Sequence, residues 1–175
     1  TARGHEVYGI SLKPPENSLF NLLGKELKFA RDIRLDIRDR SSLDTLIYEI
    51  QPEYIFHLAA QPLVSEGYLN PVETMDVNVT GTLNILSSGF RTDSLKGFSI
   101  ITTDKVYRNT IIQERFTEES PLGGHDPYSA SKAMADILSQ SWAQSYQGKP
   151  ISIARAGNVI GGGDFAVGRL IPDIV

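Results

Sequence analysis

The sequence predicts an α/β protein in which a parallel sheet carries helices on both faces. Three observations predict it. Short apolar runs of strand character alternate with amphipathic helical segments, the strands are apolar on both faces, and polar clusters recur where strands end. In a sheet of this kind ligands bind outside the carboxyl ends of the strands, so those clusters should converge on one crevice.

The elements follow in order. Glu6 to Leu12 ("EVYGISL") reads as a short strand, and the Pro-rich "KPPENSLFN" after it as a loop. A second extended piece lies within "LKFARDIRLDI". Ser41 or Ser42 then caps a helix in which Leu43, Leu46, Ile47 and Ile50 recur at helical spacing, and Pro52 stops it. "YIFHLAA" is short and apolar throughout, as a buried strand would be. Asn70 and Pro71 open the next helix as cap and first residue, with Val72, Met75, Val79, Leu83 and Leu86 as its apolar stripe. "GFSIIT" is the following strand. Asp126-Pro127 opens a helix lasting to about Gln147, and "ISIAR" is a further strand.

Composition narrows the function. The 175 residues are 41% hydrophobic and 22% charged, enough for one domain with a real core. A formal net charge of -4 without a basic stripe argues against nucleic acid as a partner. Absence of cysteine removes disulfides and thiolate metal sites, and three scattered histidines form no metal-ligand pattern. No apolar run is long enough for a membrane span and no secretory leader opens the sequence, so the expected location is cytoplasmic.

The polar clusters are His57-Leu58-Ala59-Ala60-Gln61, Thr102-Thr103-Asp104-Lys105 and Arg155-Ala156-Gly157-Asn158. A fourth is "YSASK". On a helix Tyr128 and Lys132 share one face, so the ammonium lowers the phenol's pKa and orients it to take a proton. Such a spacing arises often by chance. What gives it weight is Thr103, a hydroxyl at the end of the preceding strand. The glycines of "GNVIGGGD" follow the last strand, whereas a dinucleotide fingerprint opens the first strand-helix unit; they read as a substrate loop needing close backbone approach. His57 reads as a strand-end residue satisfied by backbone, and Met134 and Trp142 as packing.

"HLAAQP", "NVTGT", "TTDKVY", "DPYSASK", "ARAGNVIGGGD" and "RLIPD" together resemble the extended short-chain dehydrogenase/reductase superfamily, and within it the CDP-glucose 4,6-dehydratase branch. The resemblance covers nearly the whole chain. It implies a Rossmann-type doubly wound parallel sheet that holds NAD and a nucleotide sugar. It further implies conversion of CDP-glucose to a 4-keto-6-deoxy sugar for bacterial surface polysaccharide, by a homo-oligomeric enzyme. Residues 1–156 would form the NAD-binding domain and 157–175 the start of the sugar-nucleotide region.

By the same resemblance, Thr103 would bond the sugar's O4, Tyr128 would be the base, and Lys132 would hold the nicotinamide ribose. Asp104 would serve as acid for the departing C6 hydroxyl, with Lys105 handling the C5 proton as base or stabilising the charge left behind. Ser11, Asp36, Ile37, Leu58, Ala59 and Ala60 would line the cofactor, with Asp36-Ile37 against the adenine and the 58–60 turn beneath the pyrophosphate. Gln61, Asn158 and Arg169 would meet the substrate, and Asn78 would support the active-site helix.

This sequence departs from the family pattern in four places. It has no counterpart of the family's first strand and glycine-rich loop, and it stops where the smaller domain should take shape. Ile111-Ile112 stand where an aromatic is expected. Ser11 and Lys13 stand where an acidic residue would select the ribose 2'-hydroxyl, so NAD and NADP both stay open. The competing readings are an epimerase or reductase of the same superfamily, which has no need of Asp104-Lys105, and a catalytically silent nucleotide-binding module.

Overall fold

The computed structural model describes residues 3–109, 115–165 and 170–174. They form two compact units, one of Thr1–Asp36 with Val159–Val175 and one of Ile37–Asn158.

In the first unit, β1 (Tyr8–Ser11) pairs in parallel with β2 (Arg31–Arg34), Ile10 opposite Ile33. The connection is not wholly loop as its composition suggests. Ser18 accepts a hydrogen bond from the Asn21 backbone N–H at 3.3 Å and so caps a short helix, α1 (Leu19–Leu23). Phe20 stacks on Phe29, and the Arg34 guanidinium lies 5.0 Å from the Phe20 ring centroid. Gly163 sits at φ 80°, and a Cβ there would stand 2.7 Å from that of Leu19, so glycine is required. This unit also contains α7 (Leu170–Ile174).

The second unit opens with α2 (Arg40–Ile50), which buries Leu43, Leu46 and Ile47 as their spacing predicts. Its cap is Asp39 and not Ser41 or Ser42: the Asp39 carboxylate accepts from the Ser42 N–H at 3.1 Å. The helix ends at Gln51 in the left-handed region, φ 50°, one residue before Pro52. Next come β3 (Tyr54–His57), α3 (Val64–Leu69) and α4 (Pro71–Met75). A π-helical turn, Asp76–Thr80, joins α4 to α5 (Gly81–Phe90). β4 (Gly97–Thr103) then runs into a 3-10 turn, Asp104–Val106. α6 (Pro127–Ser145) and β5 (Ile151–Ala156) complete the unit.

Among the described residues all strand pairs are parallel, with order β3-β4-β5 in this unit and β1-β2 in the other. These pairings match the parts 3-2 and 4-5-6 of the doubly wound order 3-2-1-4-5-6.

Three packing expectations are corrected. β3 is covered on one face only among the described residues: Ile55 and His57 point toward α5, while Tyr54 and Phe56 are exposed, Phe56 to 69%. The helical run from Pro71 to Phe90 buries its predicted stripe only in part: Leu86 is fully buried and Met75, Val79 and Leu83 are half-buried, but Val72 is 81% exposed. What it buries is Thr74, Asn78, Thr82, Asn84 and Ser88 alongside Ile85 and Leu86. Side-chain hydrogen bonds satisfy those polar groups, and Gly81 and Gly89 let Ile37 and Phe98 close onto the helix, since a Cβ at either would stand 2.4 or 2.6 Å from them. Met134 is likewise exposed, while Trp142 is half-buried against Tyr146.

Candidate active site

Thr103 is the last residue of β4. Its hydroxyl donates to Asp104 Oδ1 at 3.1 Å and accepts from the Lys105 N–H at 3.4 Å, starting the 3-10 turn. The turn thus holds a buried hydroxyl beside two exposed, opposite charges, with Lys105 Nζ 3.5 Å from Asp104 Oδ1. Lys105 Nζ also reaches Asn158 Oδ1, at 3.5 Å, just beyond the end of β5.

α6 packs on this turn. Asp126 caps the helix by accepting from the Ser129 N–H at 3.0 Å, and Pro127 fills the first position, as the sequence predicts. That start places Tyr128 and Lys132 one turn apart, both buried. Burial pushes the Lys132 ammonium down to about 8, and the Asp136 carboxylate draws it partly back. Its Nζ donates to the Ile101 carbonyl at 2.9 Å, the one hydrogen bond to it among the described residues. An ammonium has three N–H donors, so a ribose diol or similar pair of hydroxyls fits what remains.

Asn78 ties the strand end to this helix. Its side chain exchanges hydrogen bonds with the backbone of Gln61, at 2.8 and 3.1 Å, and donates to Ser131 Oγ at 2.8 Å. Ser131 in turn donates to the Tyr128 carbonyl at 2.7 Å. The π-helical turn that carries Asn78 is the irregularity found in helices at functional sites. Thr82 donates to the Asn78 carbonyl at 2.6 Å, so it has only lone pairs to offer His57 Nε2 at 2.9 Å; that nitrogen carries the proton. His57 is therefore satisfied by a side chain and not by backbone. Burial and, less, the Lys132 charge push its pKa down to about 4.

Among the remaining candidates, Leu58 is exposed at the end of β3, with Ala59 and Ala60 half-buried after it. Gln61 turns its amide NH2 to Thr74 Oγ1 at 2.8 Å. Ile37 is a core residue against Gly81, and its carbonyl accepts from Asn84 at 3.0 Å. Ser11 and Asp36 belong to the other unit, where Ser11 accepts from Arg34 Nη1 at 2.5 Å. Arg169, Ile111 and Ile112 lie outside the described residues.

One expectation fails. Arg155 does not turn to the crevice: with Thr102 beside it in register, it faces α6 and binds Asp136. Sequence reasoning also passed over Thr82, Ser131 and Asp136. Their signal was spacing, for Thr82 follows Asn78 by one helical turn and Asp136 follows Lys132 by one.

The model of the NAD dependent epimerase/dehydratase family matches residues 1–175. A CDP-glucose 4,6-dehydratase of Salmonella typhimurium is 43% identical, over all of this chain and 51% of its own length. A probable dTDP-glucose 4,6-dehydratase of Sinorhizobium fredii is 32% identical over 93% of this chain and 45% of its own. Among solved structures, a dTDP-glucose 4,6-dehydratase double mutant from Streptomyces venezuelae with NAD bound superposes with TM-score 0.83 at 26% identity, covering 95% of this chain and 50% of that one. This chain spans about half the length of the relatives it matches. On the match along its entire length and the identity to the Salmonella protein, the chain belongs to the NAD dependent epimerase/dehydratase family.

Proposed function

We propose that the full protein is a nucleotide-sugar 4,6-dehydratase acting on CDP-glucose, in deoxysugar synthesis for a surface polysaccharide. The observation that carries this reading is the pairing, on one strand end, of a Tyr128/Lys132 helix face with the Thr103-Asp104-Lys105 turn. The closest support for the nucleobase is the 43% identity to the Salmonella enzyme, against 32% to the dTDP-glucose relative. Residues 1–156 belong to the cofactor domain in this reading, and 157–175 open the sugar-nucleotide region.

NAD, which Lys132 and the 58–60 turn would hold, would supply the hydride acceptor for oxidation at C4 and the same hydride for reduction at C6, without net consumption. The residues supply the rest. Tyr128 takes the proton from the C4 hydroxyl as that carbon is oxidised, and Thr103 hydrogen-bonds the same oxygen. Lys132 holds the nicotinamide ribose with its unused N–H donors, and its positive charge favours the phenolate. The new ketone acidifies the C5 hydrogen. Lys105 attends that proton or the enolate it leaves, while Asp104 gives a proton to the C6 hydroxyl, which departs as water. Protonation at C5 then completes the 4-keto-6-deoxy sugar. Gln61, Asn158 and Arg169 contact the substrate, and Ser11, Asp36, Ile37 and the Leu58-Ala59-Ala60 turn line the cofactor.

An epimerase would use Tyr128 and Lys132 but has no task for a paired acid and base at 104 and 105. The test is to supply the full natural protein with CDP-, UDP- and dTDP-glucose. A 4-keto-6-deoxy product, formed fastest from CDP-glucose, is expected. A C4 epimer, or no turnover with NAD bound, would overturn the reading.

A further inference from the structure

Polar contacts behind the strand-end site converge on one carboxylate. Asp136 is 0% exposed. It accepts from Thr102 Oγ1 at 3.1 Å, from Gln140 Nε2 at 2.6 Å, and from Arg155 through both Nε and Nη2, at 2.9 and 3.0 Å. The remaining guanidinium nitrogen, Nη1, donates to the Glu118 carbonyl at 2.9 Å and to the Tyr107 hydroxyl at 3.3 Å. The guanidinium also lies 5.0 Å from the Tyr107 ring centroid, and that ring stacks on Phe116. Burial alone would push the Asp136 carboxyl up, but Arg155, Gln140 and Thr102 hold it below its ordinary range.

The two ends of this contact chain lead to the two halves of the site. Asp136 lies one turn beyond Lys132 on α6. Tyr107 is the residue immediately after the turn that carries Asp104 and Lys105. A buried bidentate ion pair is a poor device for stability alone, because well-packed apolar residues of similar volume are often as stable or more so. It is a good device for direction, since a planar fork and a carboxylate fit in one geometry.

We infer that Asp136 and Arg155 are positioning residues that hold the Asp104-Lys105 turn in register with Tyr128 and Lys132. The inference rests on the dehydratase reading, because only that chemistry needs both sets in one turnover. Neither residue turns to the strand-end site. Arg155 and Thr102 lie on the α6 face of the sheet, and Thr103, the next residue of β4, points the other way. The pair therefore acts through the residues it holds.

The experiment uses the full natural protein and the variants Arg155→Lys, Asp136→Asn and Tyr107→Phe. Reduction of bound NAD on adding CDP-glucose is followed separately from release of the 4-keto-6-deoxy product. Arg155→Lys keeps the charge but not the bidentate fork. In it, product release should fall about 10- to 100-fold, as misplacement of a reacting group by about 1 Å does. NAD reduction should fall less than about 3-fold, so that reduced cofactor accumulates. Amide hydrogen exchange gives a readout that needs no turnover. Protection should drop at Tyr107, Arg108 and Gly123, whose N–H groups are bonded within the turn and to 121 and 106, while α2 keeps its protection. Tyr107→Phe removes one hydroxyl and leaves the pair intact, so it should shift the partition in the same direction by less, whether or not Asp136→Asn folds. Oxidation and elimination falling together, or exchange rising equally in α2, would make the pair a stability element and overturn the inference. A wild-type protein that makes no 4-keto-6-deoxy sugar would refute the dehydratase reading itself, and the exchange result would still separate that failure from failure of the tether.

Discussion

His57 should make this protein sensitive to mild acid. Its ring is buried against Thr82, and burial holds its pKa at about 4, against 6.5 for an exposed histidine. Between those two values the unfolded chain binds a proton that the folded chain refuses, so stability falls as pH falls. Well above 6.5 the group contributes no slope, and well below about 4 the loss is complete. Integrating the difference from pH 7 to pH 5 gives a loss of about 2 kcal/mol from this side chain. Buried carboxylates such as Asp136 add acid sensitivity of the same sign at lower pH, which a histidine variant leaves in place. His57→Gln supplies the comparison, because its amide can still donate to Thr82 but does not titrate. Urea unfolding of both proteins at pH 7 and pH 5 should show wild type losing about 2 kcal/mol more than the variant between the two. A difference of less than about 0.5 kcal/mol, the usual error of such comparisons, would mean that water or a shifted ring takes the proton in the folded state, and the account of the buried imidazole would be wrong.

Tyr128→Phe should lower kcat by about 10²- to 10⁴-fold while substrate binding changes little, because the oxidation loses its base and the nucleotide contacts remain; near wild-type turnover would remove Tyr128 from the chemistry. Lys105→Ala should still reduce bound NAD on adding substrate, yet fail to exchange the C5 hydrogen with solvent deuterium; normal exchange would make Lys105 a solvated charge at a strand end. Gly124→Ala should destabilise the fold by about 3 kcal/mol, as overpacking against rigid atoms does. The new methyl would stand 2.2 Å from the Ala130 backbone nitrogen, inside the first turns of α6, and thermal unfolding checks it.

Much of the frame was legible because its signals are local. Asp126-Pro127 is a cap and a first-turn proline within two residues, and α6 starts there; the 43, 46, 47 spacing similarly predicts the buried face of α2. The strand ends at Thr103 and Ala156, the helical spacing of Tyr128 and Lys132, and the turn chemistry of Thr103-Asp104-Lys105 follow from neighbours a few residues away. Tertiary contact decided the rest. Val72 looked like core by hydropathy and is exposed, while hydropathy gives no sign that Asn78 is buried, because its partners Gln61 and Ser131 lie 17 and 53 residues away. Phe56, expected in a buried strand, is exposed while His57 beside it is buried, for a related reason: which face of a strand is covered depends on where the next helix packs. Thr102 and Thr103 are chemically alike and adjacent, and the pleat alone sends one to Asp136 and the other to the turn. Arg155 read as a strand-end cation facing a ligand, and Asp136, 19 residues earlier, captured it. A periodicity records how often apolar groups recur along the chain, but a buried polar group is stable only beside its partner, and that partner is known only when the chain has folded.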